Sequence, residues 1–311
     1  MSTANHTSIK QALNEKSGFQ IWWRLLRPHT LTASFVPVFI GTMFATLEHT
    51  LHIGLFIAML VASMLIQAAT NMFNEYYDFK RGLDNDQSVG IGGTIVRDGV
   101  KPKTVLNLAL IFFGISILLG IYICISSSWW IAVIGSVCML FGYLYTGGPL
   151  PIAYTPLGEI FSGFLMGTVI ICISYYIQAM EFSASVIWVS LPIAIFIGGI
   201  MMSNNIRDLD GDKENGRKTL AILLGRKKAI VFLAIMFTLS FVLTAVYIFT
   251  GLLPLWSIIS FISVILAIDV IKKFRGKTKP LEMLPAMVAT GKTNTIYGLL
   301  LGISLLISNF G

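Results

Sequence analysis

Seven of the 15 acidic residues in this chain fall in two short stretches: Glu75, Asp78, Asp84 and Asp86, then Asp208, Asp210 and Asp212. The first stretch reads Asn74-Glu75-Tyr76-Tyr77-Asp78 and runs on to Asp84. The second reads Asn204-Asn205-Ile206-Arg207-Asp208 and runs on to Asp212. Each sits where a long apolar run meets a basic segment. Carboxylates gathered beside a membrane are costly unless they hold something cationic. An all-oxygen donor set suits a hard ion such as Mg2+, which keeps part of its coordination for water and substrate phosphate. Lys80, Arg81, Arg97, Arg207, Arg217 and Lys218 lie close by in the chain and match an anion, such as a diphosphate, held with the metal.

Residues four apart share one face of a helix. Asn204, Asp208 and Asp212 therefore form a stripe of one amide and two carboxylates, and Asn74 with Asp78 repeats its first half. Asp84 falls off that face. Gly82 offers a place for the helix to unwind, bringing Asp84 or Asp86 back toward the site. The stretches begin 130 residues apart and follow apolar runs of the same direction, as in a diverged internal duplication. A third segment reads Tyr143-Leu144-Tyr145-Thr146-Gly147-Gly148-Pro149-Leu150-Pro151, followed by Tyr154 and Gly158-Glu159. Tyr145 and Tyr154 are either interfacial anchors or aromatic faces lining a cationic intermediate. Glu159 opens an apolar run and is a candidate to bind or deprotonate a substrate hydroxyl.

The elements that position these residues are apolar helices. The chain has 311 residues, 55% of them hydrophobic and 12% charged, with a mean hydropathy of +0.79. Repeated apolar runs of membrane-crossing length predict an all-α polytopic bundle. The lack of alternating polar strands argues against a barrel. Nine spans are expected, near 30–48, 51–73, 104–125, 128–147, 158–179, 184–204, 228–250, 252–271 and 293–310. All 22 Lys and Arg residues fall before the first span or after the second, sixth and eighth. That asymmetry places the amino terminus and every basic loop in the cytoplasm of a cell-membrane protein. The net charge of +7 follows from the same bias and implies no nucleic-acid partner. Residues 1–29 are too polar for a cleavable signal. They form an amino-terminal segment whose Trp22, Trp23, Leu25 and Leu26 predict a short helix on the inner surface. Residues 30–311 form the membrane domain. Cys124, Cys138 and Cys172 stand singly in apolar runs and read as packing, and the four histidines form no cluster.

Paired Asp-rich motifs in nine-span context resemble those of the UbiA superfamily of intramembrane prenyltransferases, over most of residues 20–310. Within it the text is similar to the branch that prenylates 1,4-dihydroxy-2-naphthoate. Three features carry this: Asn74-x3-Asp78 with Asp84 beyond, Tyr145-Thr146-Gly147-Gly148-Pro149 leading to Gly158-Glu159, and Asn204 to Asp212 leading to Lys218-Thr219-Leu220. Glu75 after Asn74, and Arg81-Gly82 where a third carboxylate stands in the 4-hydroxybenzoate branch, disfavour that acceptor.

The resemblance implies Mg2+ on Asp78, Asp84, Asp208 and Asp212, with Asp84 or Asp86 completing the first site. It implies a polyprenyl diphosphate and 1,4-dihydroxy-2-naphthoate as substrates, with membrane lipid around the tail, and demethylmenaquinone as product. Asn74, Lys80, Arg81, Arg97, Tyr145, Tyr154, Asn204, Arg207 and Lys218 are the expected substrate contacts, and Glu159 joins the four aspartates in catalysis. Gly163 and Gly167, four apart, would let helices approach closely or widen a tail channel. Other acceptors remain open: 4-hydroxybenzoate, haem or another lipid precursor. A cation-coupled transporter is the rival of a different class, although its carboxylates would sit near the bilayer midplane.

Overall fold

The computed structural model describes residues 18–83, 93–149 and 151–309. Asp84 and Asp86 lie outside them. Helix α1 spans Phe19–Leu26, α2 Pro28–Ala45, α3 Ile53–Lys80, α4 Thr94–Asp98, α5 Pro102–Ser126 and α6 Trp130–Leu144. After a 3-10 turn at Ile152–Tyr154, α7 covers Gly158–Ala179, with a π-helical stretch at Gly163–Val169. There follow α8 (Ala184–Glu214), α9 (Leu220–Leu224), α10 (Arg226–Phe249), α11 (Leu255–Phe274) and α12 (Pro280–Ile307).

Each of the nine expected spans overlaps one of these helices. Among the described residues, six helices are long and apolar enough to cross a membrane, namely α3, α5, α7, α8, α10 and α11, while α6 is apolar but shorter. The boundaries differ most at three places. Helices α3 and α8 continue to Lys80 and Glu214 rather than ending at 73 and 204, and α12 begins at Pro280 rather than at 293. Hydropathy marks where a helix leaves an apolar medium, whereas the backbone ladder ends where a cap stops it. Proline at the start of α12 is favourable because the first N–H has no intrahelical partner.

The two helices that carry the acidic stretches stop in the same way. Gly82 (φ 73°) follows α3, and Leu83 N–H donates to Asp78 O at 2.9 Å. Gly216 (φ 75°) follows α8, and Arg217 N–H donates to Asp212 O at 2.9 Å. These are Schellman closures, in which a left-handed glycine lets the chain turn back on the last carbonyls. They align Asp78 with Asp212, one turn later than the motif text, which pairs Asp78 with Asp208. Both carboxylates thus stand at the negative ends of helix dipoles, where an added negative charge is unfavourable without a cation.

The main core joins α2, α7, α8, α10 and α12. Phe196 lies at its centre, with the Tyr297 ring 4.5 Å away and Phe237 and Phe241 each at 5.5 Å. Two further clusters pack α3 against α5, one near α1 and one near α7. Gly163 and Gly167 do serve close approach. A Cβ on Gly163 would stand 2.4 Å from Ala194 O, and one on Gly167 2.5 Å from Ala194 Cα.

Candidate active site

A cavity of about 640 Å³ opens inside the bundle. One end is polar, lined by Asn74 and Asp78 from α3 and by Asn204, Asn205, Arg207, Asp208 and Asp212 from α8. The other end is apolar, lined by Ile123, Ile131 and Ile173 among others. Length, burial and the Schellman closures bring the two acidic stretches to the same mouth.

Arg217 joins them. Its Nη2 donates to Asp78 Oδ1 at 2.9 Å and its Nη1 to Asp212 Oδ1 at 3.1 Å. The Tyr154 ring lies 5.0 Å beneath the guanidinium carbon, a cation–π contact. Burial works against the charge on Arg217, but the Asp78 and Asp212 carboxylates outweigh it and hold the guanidinium protonated more firmly than usual. In the second stretch, Arg207 Nε donates to Asp208 Oδ1 at 2.7 Å and Nη2 to Oδ2 at 2.5 Å, a bidentate pair.

This donor set fits a hard divalent ion. Two buried carboxylates and two helix C-termini converge on one cationic group, so the point already selects positive charge. The ligands that would hold Mg2+ here are Asp78, Asp208 and Asp212, with the Asn74 and Asn204 amides beside them. All are oxygen donors, as Mg2+ requires.

Eight expected site residues line the cavity: Asn74, Asp78, Arg97, Tyr145, Asn204, Arg207, Asp208 and Asp212. Lys80, Arg81, Tyr154, Lys218 and Glu159 are not among its lining residues. Lys80 and Lys218 are exposed. Arg81 turns away from the cavity: its Nη1 donates to Thr146 O and its Nη2 to Gly148 O at 2.8 Å. It thereby braces the Tyr145–Gly148 turn, and its guanidinium carbon lies over the Tyr77 and Tyr154 rings at 5.6 and 5.7 Å. Glu159 is buried one layer back, where its Oε1 accepts from Asn205 Nδ2 at 2.8 Å. Its Oε2 is buried and makes no hydrogen bond among the described residues. Glu75 accepts from Thr94 Oγ1 at 2.6 Å and from Ile95 N at 3.0 Å, at the amino end of α4. That cap satisfies one oxygen of this fully buried carboxylate, while Oε2 makes no hydrogen bond among the described residues.

Arg27, Gln67 and Asn71 also line the cavity, although the motifs do not single them out. In the sequence Arg27 reads only as part of the charge bias. Its left-handed backbone (φ 52°) at the α1–α2 junction is unusual for a residue with a Cβ, and such strain concentrates at functional sites. Gln67 and Asn71 extend the Asn74–Asp78 face toward the membrane interior. Their signal in the sequence is that of polar residues inside an apolar run.

The chain is 53% identical to the Bacillus subtilis 1,4-dihydroxy-2-naphthoate octaprenyltransferase over 310 residues, covering 100% of both chains. It is 24% identical to the Escherichia coli enzyme of the same name, covering 94% of this chain and 96% of that one. Among solved structures, a UbiA homolog from Archaeoglobus fulgidus bound to GPP and Mg2+ superposes with a TM-score of 0.65 at 18% identity, covering 92% of this chain and 99% of that one. An apo UbiA homolog from Aeropyrum pernix gives 0.68 at 15% identity, covering 90% and 98%. The pattern of the UbiA prenyltransferase family matches residues 34–307, and the chain belongs to that family.

Proposed function

We propose that this membrane enzyme transfers a polyprenyl group from a polyprenyl diphosphate to 1,4-dihydroxy-2-naphthoate, with loss of carbon dioxide, in menaquinone biosynthesis. The observation that carries the reading is the end-to-end identity of 53% with the Bacillus subtilis octaprenyltransferase. The cavity supports it with a charged mouth for a diphosphate and an apolar depth for a tail and a ring.

The diphosphate lies at the mouth, between Asp78 on α3 and Asp208 and Asp212 on α8. Mg2+ held by these carboxylates would supply Lewis-acid neutralisation of the diphosphate charge. Arg27, Arg97 and Arg207 add fixed positive charge around the same oxygens. The Asn74 and Asn204 amides orient phosphate oxygens and water. The carbon–oxygen bond breaks, its electron pair leaving with the diphosphate and leaving an allylic cation. The Tyr145 ring at the cavity wall stabilises that cation while the apolar lining excludes water. A ring carbon of the naphthoate then bonds to the cation, and carbon dioxide and a proton depart. The product is the quinol form of demethylmenaquinone. Glu159 acts from behind Asn205, holding its amide with the oxygen free to face the acceptor. Lys80 and Lys218 meet the diphosphate on its way in from the cytoplasm. Asp84 or Asp86, both outside the described residues, would add a further carboxylate to the metal site.

In this reading residues 30–311 form one domain of nine spans. The basic loops and the cavity mouth face the cytoplasm, as the placement of all Lys and Arg residues favours.

The test is an assay of purified protein with 1,4-dihydroxy-2-naphthoate, labelled polyprenyl diphosphate and Mg2+, with EDTA and 4-hydroxybenzoate as parallel arms. Prenylated naphthoquinone formed only with Mg2+ supports the reading. Product from 4-hydroxybenzoate instead overturns the acceptor, and failure to consume the diphosphate with either acceptor overturns the reaction.

A further inference from the structure

Gln67 is 9% exposed and lines the cavity on the same α3 face as Asn71, Asn74 and Asp78. Its amide orientation is dictated by a chain of hydrogen bonds. Leu26 O can only accept, and Asn71 Nδ2 donates to it at 3.0 Å and to Thr30 Oγ1 at 2.9 Å. Asn71 Oδ1 is therefore turned the other way, where it accepts from Gln67 Nε2 at 3.1 Å. An amide oxygen and nitrogen have nearly the same shape, and it is the hydrogen-bond network that tells them apart. With Nε2 committed to Asn71, Oε1 is the end of this cavity-lining amide left to meet a ligand. Among the described residues it accepts no hydrogen bond.

A carbonyl oxygen left without a donor inside an apolar bundle costs about 1–3 kcal/mol, so buried acceptors are nearly always satisfied. The neighbouring hydroxyl cannot serve. Ser63, one turn deeper, donates its proton to Leu60 O at 3.0 Å. Gln67 lines the cavity, so the donor that completes its oxygen is water or a group on a ligand that displaces that water. A prenyl tail has none, and a diphosphate offers acceptors only. A phenolic acceptor does carry an O–H. Gln67 precedes Asp78 by 11 residues, or about 16 Å of helix. That length accommodates a diphosphate at the mouth followed by a fused two-ring acid.

We propose that Gln67 Oε1 accepts a hydrogen bond from a ring hydroxyl of the aromatic acceptor and makes the enzyme selective for a dihydroxy ring. This rests on the prenyl-transfer reading above and assigns the acceptor end of the cavity. A site built around a hydroxyl discriminates against analogues that lack it far more than a site that merely tolerates one.

The experiment uses purified full-length enzyme with saturating polyprenyl diphosphate and Mg2+. It measures KM for 1,4-dihydroxy-2-naphthoate and inhibition constants for 1-hydroxy-2-naphthoate and 2-naphthoate, which lack one or both hydroxyls. Wild type is compared with Gln67→Met, of similar length and apolar, and with Gln67→Glu, which keeps an acceptor oxygen. The expected result is a KM for the naphthoate raised about tenfold or more in Gln67→Met, with the KM for the prenyl diphosphate within twofold of wild type. The preference for the hydroxylated compounds collapses in that variant and is retained in Gln67→Glu. Equal changes in both KM values, or a hydroxyl preference that survives in Gln67→Met, overturn the proposal. If Gln67→Met does not fold, loss of the preference in Gln67→Glu overturns it as well. Wild-type enzyme that uses no naphthoate defeats the reading of the acceptor itself, which is a separate outcome.

Discussion

Asp78 and Asp212, contributed by helices α3 and α8, both place Oδ1 on the single guanidinium of Arg217, at 2.9 and 3.1 Å. Their side chains are each 12% exposed, so neither charge is well screened by solvent. Removing the cation leaves two buried carboxylates facing each other at two helix C-termini. Breaking a buried pair from one side costs about 3–5 kcal/mol. Arg217→Met is therefore expected to melt well below wild type in detergent. Added Mg2+ should raise the melting temperature of the variant more than that of wild type, because the metal restores the missing positive charge. Thermal melts with and without Mg2+ decide this, and a variant indifferent to the ion would remove the support for a metal at these carboxylates.

Prenyl transfer should fall by about 10² or more in Asp212→Asn and in Asp78→Asn, in line with the loss of one charge-stabilising group in a water-poor site. Size and shape are conserved in both, so the protein should still elute as folded material. Initial rates under saturating substrates, with EDTA as a control, measure the effect. A rate in EDTA equal to that in Mg2+ would contradict the assigned role of the acidic stretches.

Two arginines near the mouth should behave differently. Arg27 lines the cavity, whereas Arg81 spends its guanidinium on Thr146 O and Gly148 O. Arg27→Gln should raise the KM for polyprenyl diphosphate with little change in melting temperature. Arg81→Gln should do the reverse, losing about 1–3 kcal/mol as two carbonyls lose a charged donor. Paired melts and steady-state kinetics separate the roles. Matching behaviour of the two variants would show that the division is wrong.

Backbone contact between α7 and α8 depends on missing side chains. Gly167→Ala would drive a methyl to within 2.5 Å of Ala194 Cα. Forced overpacking of this kind costs about 1–3 kcal/mol. A methyl on Gly114 in α5 would meet nothing within 4 Å, so Gly114→Ala should be neutral or stabilising by up to about 1 kcal/mol. Melting temperatures of the two variants should move in opposite directions or differ by several degrees.

Much of this organisation is legible without coordinates. Apolar length determines helices because the backbone has no other way to satisfy itself in lipid. Charge bias marks one side of the bundle, and four-residue spacing collects Asn204, Asp208 and Asp212 on one stripe. Family membership follows from the same motifs, and both acidic stretches do reach one cavity.

Residue types and spacing place a side chain on a face but not against a particular partner. Lys80, Arg81, Arg97, Arg207, Arg217 and Lys218 look alike as basic residues beside acidic ones. Tertiary structure separates them: Arg217 bridges the stretches, Arg81 braces a turn, and Lys80 and Lys218 stay exposed. Glu75 and Glu159 are equally ambiguous in text, yet one caps α4 and the other fixes Asn205. The register between Asp78 and Asp212 is set by Gly82 and Gly216, whose closures end the two helices. The orientation of Gln67 depends on Leu26, 41 residues away in the chain. Local sequence determines helices, stripes and caps because those obey short-range sterics and hydrogen bonding. Which charge meets which, and which end of an amide is left to meet a ligand, depends on the rotation of one packed helix against another, and only the assembled bundle decides that.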